Sequence, residues 1–251
     1  MNQALAKISA VIITKNAAET IARTLDSLVR FSEVVVYDNG STDGTLELLA
    51  AYPNVRLHQG DFLGFGPTKN LAVSLASHDW VFSIDADEVL PQETLDELDD
   101  LGLDEARKAY FIKRTNLFMD KPVRHSGWGK DWLLRLFNRQ VHVFTDAMVH
   151  EHVVLHGESQ RHKLRGEMLH YAVNDVAQFL NKINRYSEIR KESASKTYSL
   201  PTILLKTYWA FFRTYVLRRG ILDGWRGLVI SISNANGVFY KNIKIYAKKH
   251  Q

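Results

Sequence analysis

The 251-residue chain contains no cysteine. That excludes disulfides, thiolate metal sites and cysteine nucleophiles, and it fits a reducing compartment. No uncharged run approaches the roughly 18 residues that a membrane span needs. The best candidate, Leu200 to Leu217, is interrupted by Lys206 and Arg213. "ISAVII" (Ile8 to Ile13) is short and runs straight into a polar helix start, so it suits a buried strand better than a signal peptide core. Two phosphate-binding glycine patterns are also missing. "TKNAAE" follows the first apolar run without the glycines of a dinucleotide fingerprint. "GFGPTK" has two glycines and no third, and no Walker loop occurs. Hydride transfer to NAD and P-loop chemistry are therefore disfavoured. Repeats and low-complexity segments are absent.

Charge is unevenly spread. Residues 1–100 carry 6 Lys and Arg against 16 Asp and Glu, a net of −10. Residues 161–251 carry 17 against 5, a net of +12, among many aromatics. A basic, aromatic tail points to an anionic partner, either nucleic acid or a membrane surface. No nucleic-acid recognition motif supports the first. The segment Ile203 to Arg219 has the apolar and basic composition of a helix lying in a membrane interface. A helix packed on the rest of the chain, with its charges solvated, is the plainer alternative.

The first hundred residues alternate between apolar runs and helical spacing. "KISAVII", "EVVVYD", "VRLHQ" and "WVFSID" read as strands. Helices are expected after Asn16, over "TLELLAAY", from Pro67 to Ala76 and after Pro91. Asn16 is a plausible N-cap, with Glu19 reaching back in a capping box. Fully apolar strands between helices argue for a mostly parallel, Rossmann-like α/β sheet covered on both faces. Ligands of such sheets bind at the carboxyl ends of the strands. Thr14, Asn16, Asp38, Asp85 and Asp87 gather there. Beyond about residue 108 a strand and short twisted runs follow. From Asn174 an apolar stripe of Val176, Phe179, Leu180, Ile183 and Tyr186 reads as a helix.

"WVFSIDADEVLP" ends an apolar run in Asp85, Asp87 and Glu88. In extended geometry Asp85 and Asp87 leave on one face. Carboxylates so close resist ionising together unless a positive partner is present. A hard divalent cation, Mg²⁺ or Mn²⁺, is a fitting partner, and it commonly completes its shell with water and substrate phosphates. The acids therefore point to a phosphate-bearing substrate.

"AVIITKNAAETIARTLDSL", "VVVYDNGSTDGT", "GPTKNLAVSLASHDWVFSIDADEVL" and "VHEHV" resemble family 2 glycosyltransferases of the GT-A fold. Within them the resemblance is closest to the lipopolysaccharide core β-1,4-glucosyltransferase group, a similarity that extends to "YVLRRGILDGWRGLVISISNANGVFYK". The resemblance implies a metal-dependent, inverting transfer of a sugar, glucose in that group, from a nucleotide diphosphate donor such as UDP-glucose. It implies a lipid-linked heptose/Kdo acceptor and a peripheral place on the cytoplasmic face of the inner membrane. Asp85 and Asp87 match the D-x-D metal motif, with Asp87 as direct ligand and Asp85 facing ribose or sugar. Asp38, Thr14, Asn16 and Lys69 match positions bordering the nucleotide. The general base is left between Glu151 and Asp131. Relatives place it in a Glu-Asp pair six residues before an Arg, whereas here Lys130 replaces the Glu and Asp131 lies four residues before Arg135. His150 or His152, expected to alternate with Glu151 along a strand, could add a metal ligand. Residues 1–160 are expected to form the catalytic domain, with its nucleotide-sugar half over about 1–100 and its acceptor half over about 101–160. Residues 161–251 form a helical extension. A nucleotidyl- or phosphoryl-transfer enzyme and a non-enzymatic binding module are the alternatives.

Overall fold

The structure, a computed structural model, describes residues 3–129, 131–181, 183–184 and 197–250. Lys130 and Tyr186 lie outside the described residues. The described chain divides into two compact units. Unit 1 comprises residues 1–114 and 131–170, and unit 2 comprises residues 115–130 and 171–251.

Unit 1 is built on β1 (Ile8–Thr14), β2 (Glu33–Asp38), β3 (Val55–Gln59) and β4 (Trp80–Ser83). They lie in the order β3-β2-β1-β4, and every pairing among them is parallel. β2 is buried at every position and β1 at all but one, because helices cover both faces. Alternation divides the side chains. Ile8, Ala10 and Ile12 of β1 face a core shared with α1 (Ile21–Asp26) and α4 (Gln92–Asp99). Val11 faces the opposite core, with Ala72 and Val73 of α3 (Phe65–Ser74). Each fully buried valine or isoleucine among them contributes about 1.5–3 kcal/mol. α2 (Thr45–Leu49) precedes β3.

The sheet is parallel only in this half. β8 (Asp131–Asn138) joins β4 antiparallel, and β6 (Lys108–Phe118) joins β8 antiparallel. The order continues through β11 (Gln160–Val173) to β5 (Glu88–Val89), and β7 (Lys121–Pro122) pairs with β6. The sheet is thus mixed rather than mostly parallel. β9 (Val143–Phe144) and β10 (Val153–Val154) form a separate two-stranded ribbon.

Unit 2 is largely helical. Residues 176–181 and 183–184 are helical. Val176 and Phe179 pack with Phe118, Trp128 and Ile230, whereas Leu180 is exposed. α5 (Leu200–Phe212), a π turn over Arg213–Leu217 and α6 (Gly224–Lys249) follow. Among the described residues no helix is long and apolar enough to cross a membrane.

Candidate active site

The carboxyl end of β1 turns at Asn16, which adopts φ 54°. Asn16 does not cap α1, which begins only at Ile21. Its side-chain oxygen instead accepts the Thr42 N–H at 2.8 Å, and its own N–H donates to Ser41 Oγ at 2.8 Å. Two loops are thereby tied together. Asp38, fully buried at the end of β2, accepts the N–H groups of Gly40 and Ser41 at 3.0 and 2.9 Å. Its carboxylate shapes the 39–44 loop. The Thr14 hydroxyl is buried and has no hydrogen-bond partner among the described residues.

β4 ends at Ser83, and the chain then turns instead of staying extended, with Glu88 N–H donating to Asp85 O at 3.1 Å. The extended geometry expected to put Asp85 and Asp87 on one face is therefore not kept. The positive partners of the acids are side chains. Arg135, buried on β8, places Nη2 2.9 Å from Asp85 and 2.7 Å from both oxygens of Glu88. Arg114 reaches Glu88 at 3.3 Å. Lys69 Nζ on α3 is 3.2 Å from Asp85 and 2.7 Å from Glu151. Burial opposes ionisation of Asp85, but the charges of Arg135 and Lys69 outweigh it and hold its carboxyl well below the usual range. Burial pushes the fully buried Glu88 carboxyl up against the pull of Arg135.

Glu151 reaches Lys69 because α3 starts against the segment before it. Phe65 and Gly66 N–H donate to Met148 and Ala147 carbonyls at 3.1 and 3.0 Å. A Cβ on Gly66 would lie 1.9 Å from Thr145 O, so only glycine permits this approach. Asn70 exchanges two hydrogen bonds with the Phe144 backbone, at 2.9 and 2.8 Å. Lys69, Asp85, Arg135, Glu151 and Trp132 line one cavity of about 540 Å³. Trp128, by contrast, is packed in a core.

Asp131 takes a different position. It pairs across the strands with Arg114, whose Nε is 2.9 Å away. His150, Glu151 and His152 lie in the irregular stretch before β10, not on a strand, and His150 has φ 61°. Among the described residues no three His, Asp or Glu side chains are grouped to hold a metal, so Asp85, Asp87, His150 and His152 are not a pre-assembled ligand set. Asp87 is the D-x-D acid not paired with Lys69 or Arg135. Its side chain is 39% exposed, with His170 Nε2 at 3.3 Å. One open carboxylate suits a hard cation that draws its remaining ligands from a diphosphate and water. Sequence reasoning missed Arg135, Arg114 and His170 as parts of this cluster. The available signal was an arginine inside the apolar run "WLLRLF".

Residues 9–143 match the family model described as Glycosyl transferase family 2. The chain belongs to that family. This family 2 glycosyltransferase is 31% identical over 255 residues to the "Uncharacterized glycosyltransferase RP128" of Rickettsia prowazekii, covering 95% of this chain and 86% of the relative. It is 28% identical over 257 residues to the "Lipopolysaccharide core biosynthesis glycosyltransferase LpsC" of Rhizobium meliloti, covering 96% and 92%. A crystal structure of S. aureus TarS 1–349 in complex with UDP overlaps at a TM-score of 0.47 and 16% identity, covering 98% of this chain and 92% of that one. Family membership and the α/β sheet make the fold a GT-A fold. Membership also sets aside the nucleotidyl-transfer and non-enzymatic alternatives.

Proposed function

We propose that this glycosyltransferase moves glucose, with inversion, from UDP-glucose to a lipid-linked heptose/Kdo acceptor of the lipopolysaccharide inner core. The observation that carries the reading is Lys69, which joins the D-x-D residue Asp85 to Glu151 inside one cavity. Donor-side and base-side carboxylates thus meet at a cation suited to a diphosphate. The name of the LpsC relative supports the acceptor class.

In this reading residues 1–100 hold the donor, residues 101–160 the acceptor, and residues 161–251 form the extension. Thr14, Asn16 and the loop shaped by Asp38 border the nucleotide. Asp87, with His170 beside it, would hold Mg²⁺ or Mn²⁺, which would supply Lewis-acid stabilisation of the departing diphosphate; His150 and His152 remain the candidate further ligands. Glu151 accepts the proton of the acceptor hydroxyl as its oxygen forms the new bond to the anomeric carbon. The bond from that carbon to the diphosphate breaks, and its electron pair leaves with UDP. Asp131 is the alternative base. Arg135 and Arg114 keep the acids in place. Exposed Leu205, Tyr208, Trp209 and Leu217, interleaved with Lys and Arg, support peripheral attachment to the cytoplasmic face of the inner membrane.

Calorimetric titration of nucleotide sugars with Mn²⁺ and with EDTA, on wild type and Asp87→Ala, tests the donor and the metal together. UDP-glucose binding that needs metal and is lost in the variant is expected. Absence of binding by every donor would overturn the reading.

A further inference from the structure

Unit 2 contains a cavity of about 620 Å³ between α5, the π turn and α6. Lys206, Arg213, Arg218 and Lys241 line it, beside Trp209, and among the described residues no acidic side chain does. Ser233 and Asn242, both buried, add polar groups to its wall. The π turn closes with Arg218 N–H donating to Arg213 O at 2.9 Å, which places the two arginines one wide turn apart.

These cations lack anionic partners among the described residues. Lys206 stands over the Tyr198 ring at 4.3 Å, and no carboxylate pairs with Arg213, Arg218 or Lys241. Residues 197–250 contain nine Lys and Arg and a single acid, Asp223. Asp223 is engaged elsewhere, accepting the N–H groups of Arg124 and His125 at 3.2 and 3.0 Å and pairing with the His125 ring at 3.0 Å. Four like charges on one concave surface repel one another and raise the local concentration of anions. Arginine's planar fork and lysine's point charge both suit phosphate oxygens.

We propose that this cavity binds a phosphate ester, carried by the headgroup of an anionic membrane lipid or by a soluble phosphate compound. The exposed apolar side chains of the same unit, Leu205, Tyr208, Leu217 and Leu222, favour the lipid as its source. The lipid arm rests on the membrane contact proposed above, while the phosphate site itself is independent of donor chemistry.

The test compares the full chain with Lys206→Gln/Arg213→Gln/Lys241→Gln and with Lys244→Gln/Lys248→Gln/Lys249→Gln, which removes equal charge outside the cavity. Co-sedimentation with phosphatidylcholine vesicles, with and without phosphatidylglycerol, forms one arm. Calorimetry with inorganic phosphate forms the other. The cavity variant is expected to lose at least about tenfold in binding to anionic vesicles while the control loses far less. Loss in the vesicle arm, with or without loss of phosphate binding, identifies a lipid headgroup, and loss in the phosphate arm alone identifies a soluble phosphate compound. Equal loss in the two variants would reduce the effect to diffuse charge and overturn the site, as would no response in either arm. Lys206→Glu alone, on an exposed side chain, repeats the comparison if the triple variant loses its melting transition. UDP-glucose binding on the same samples reports separately on the donor reading.

Discussion

Lys69 Nζ stands 2.7 Å from Glu151 Oε1 and 3.2 Å from Asp85 Oδ1, so one ammonium group joins two acids that are far apart in the chain. The Lys69 side chain is only 9% exposed, which confines the group to this geometry. Lys69→Met is expected to reduce transfer more than Lys69→Arg does, with the melting temperature of the arginine variant near wild type. Equal losses in the two variants would argue that the charge at this position is not what matters.

The proposed choice of Glu151 as base rests on the same contact. Glu151→Gln is expected to lower kcat by about 10²–10⁴-fold while UDP-glucose affinity stays close to wild type. Asp131→Asn, which leaves Arg114 with Glu88 as its carboxylate partner, should cost far less. Steady-state kinetics with both variants decide between them, and a larger loss in Asp131→Asn would make Asp131 the base.

The approach of α3 to the 145–148 segment depends on Gly66. A methyl group there meets Thr145 O at 1.9 Å, against backbone that cannot swing away as a side chain would. Gly66→Ala is expected to destabilise by about 1–3 kcal/mol and to impair transfer by moving Glu151 away from Lys69. Urea unfolding and kinetics on one preparation measure both effects. An active, fully stable Gly66→Ala would show that the segment can shift without consequence.

Arg135 is buried between Asp85 and Glu88. Its loss leaves two acids without their principal cation. Arg135→Met should cost about 3–5 kcal/mol in urea unfolding. Adding Glu88→Gln to that variant should restore part of the loss, since one of the stranded charges is then removed. A second substitution that simply added its own penalty would deny the coupling.

At the opposite end of the sheet, Glu33 sets an acid limit on stability. Burial resists its ionisation, but hydrogen bonds from Ser9, Ser77 and Arg56 outweigh it and lower its pKa to about 2. In the unfolded chain a glutamate titrates near ~4.3. As pH falls, the unfolded state therefore takes up this proton first. The stability contributed by Glu33 is complete above the unfolded value and is lost as pH falls toward about 2. Urea midpoints measured from about pH 5 to about pH 2.5 should fall more steeply for wild type than for Glu33→Gln. Parallel profiles would remove Glu33 as the cause.

The sequence by itself determined the parallel half of the sheet. "EVVVYD" is β2 residue for residue, because continuous apolar runs between helices leave few ways to bury both faces. It also brought Thr14, Asp38 and the D-x-D acids to the strand ends, since those positions follow from strand length alone. Tertiary structure decided what answers the acids. Periodicity reports neighbours within an element, whereas Arg135 meets Asp85 through antiparallel pairing of β8 with β4, and Glu151 meets Lys69 through the docking of a distant segment on Gly66. The turn after β4 took Asp85 and Asp87 out of extended geometry, and the tie from Asn16 to Thr42 drew that residue away from a helix cap. The contacts of Arg135, Glu151 and Asn16 form only when remote parts of the chain pack, so no local pattern encodes them.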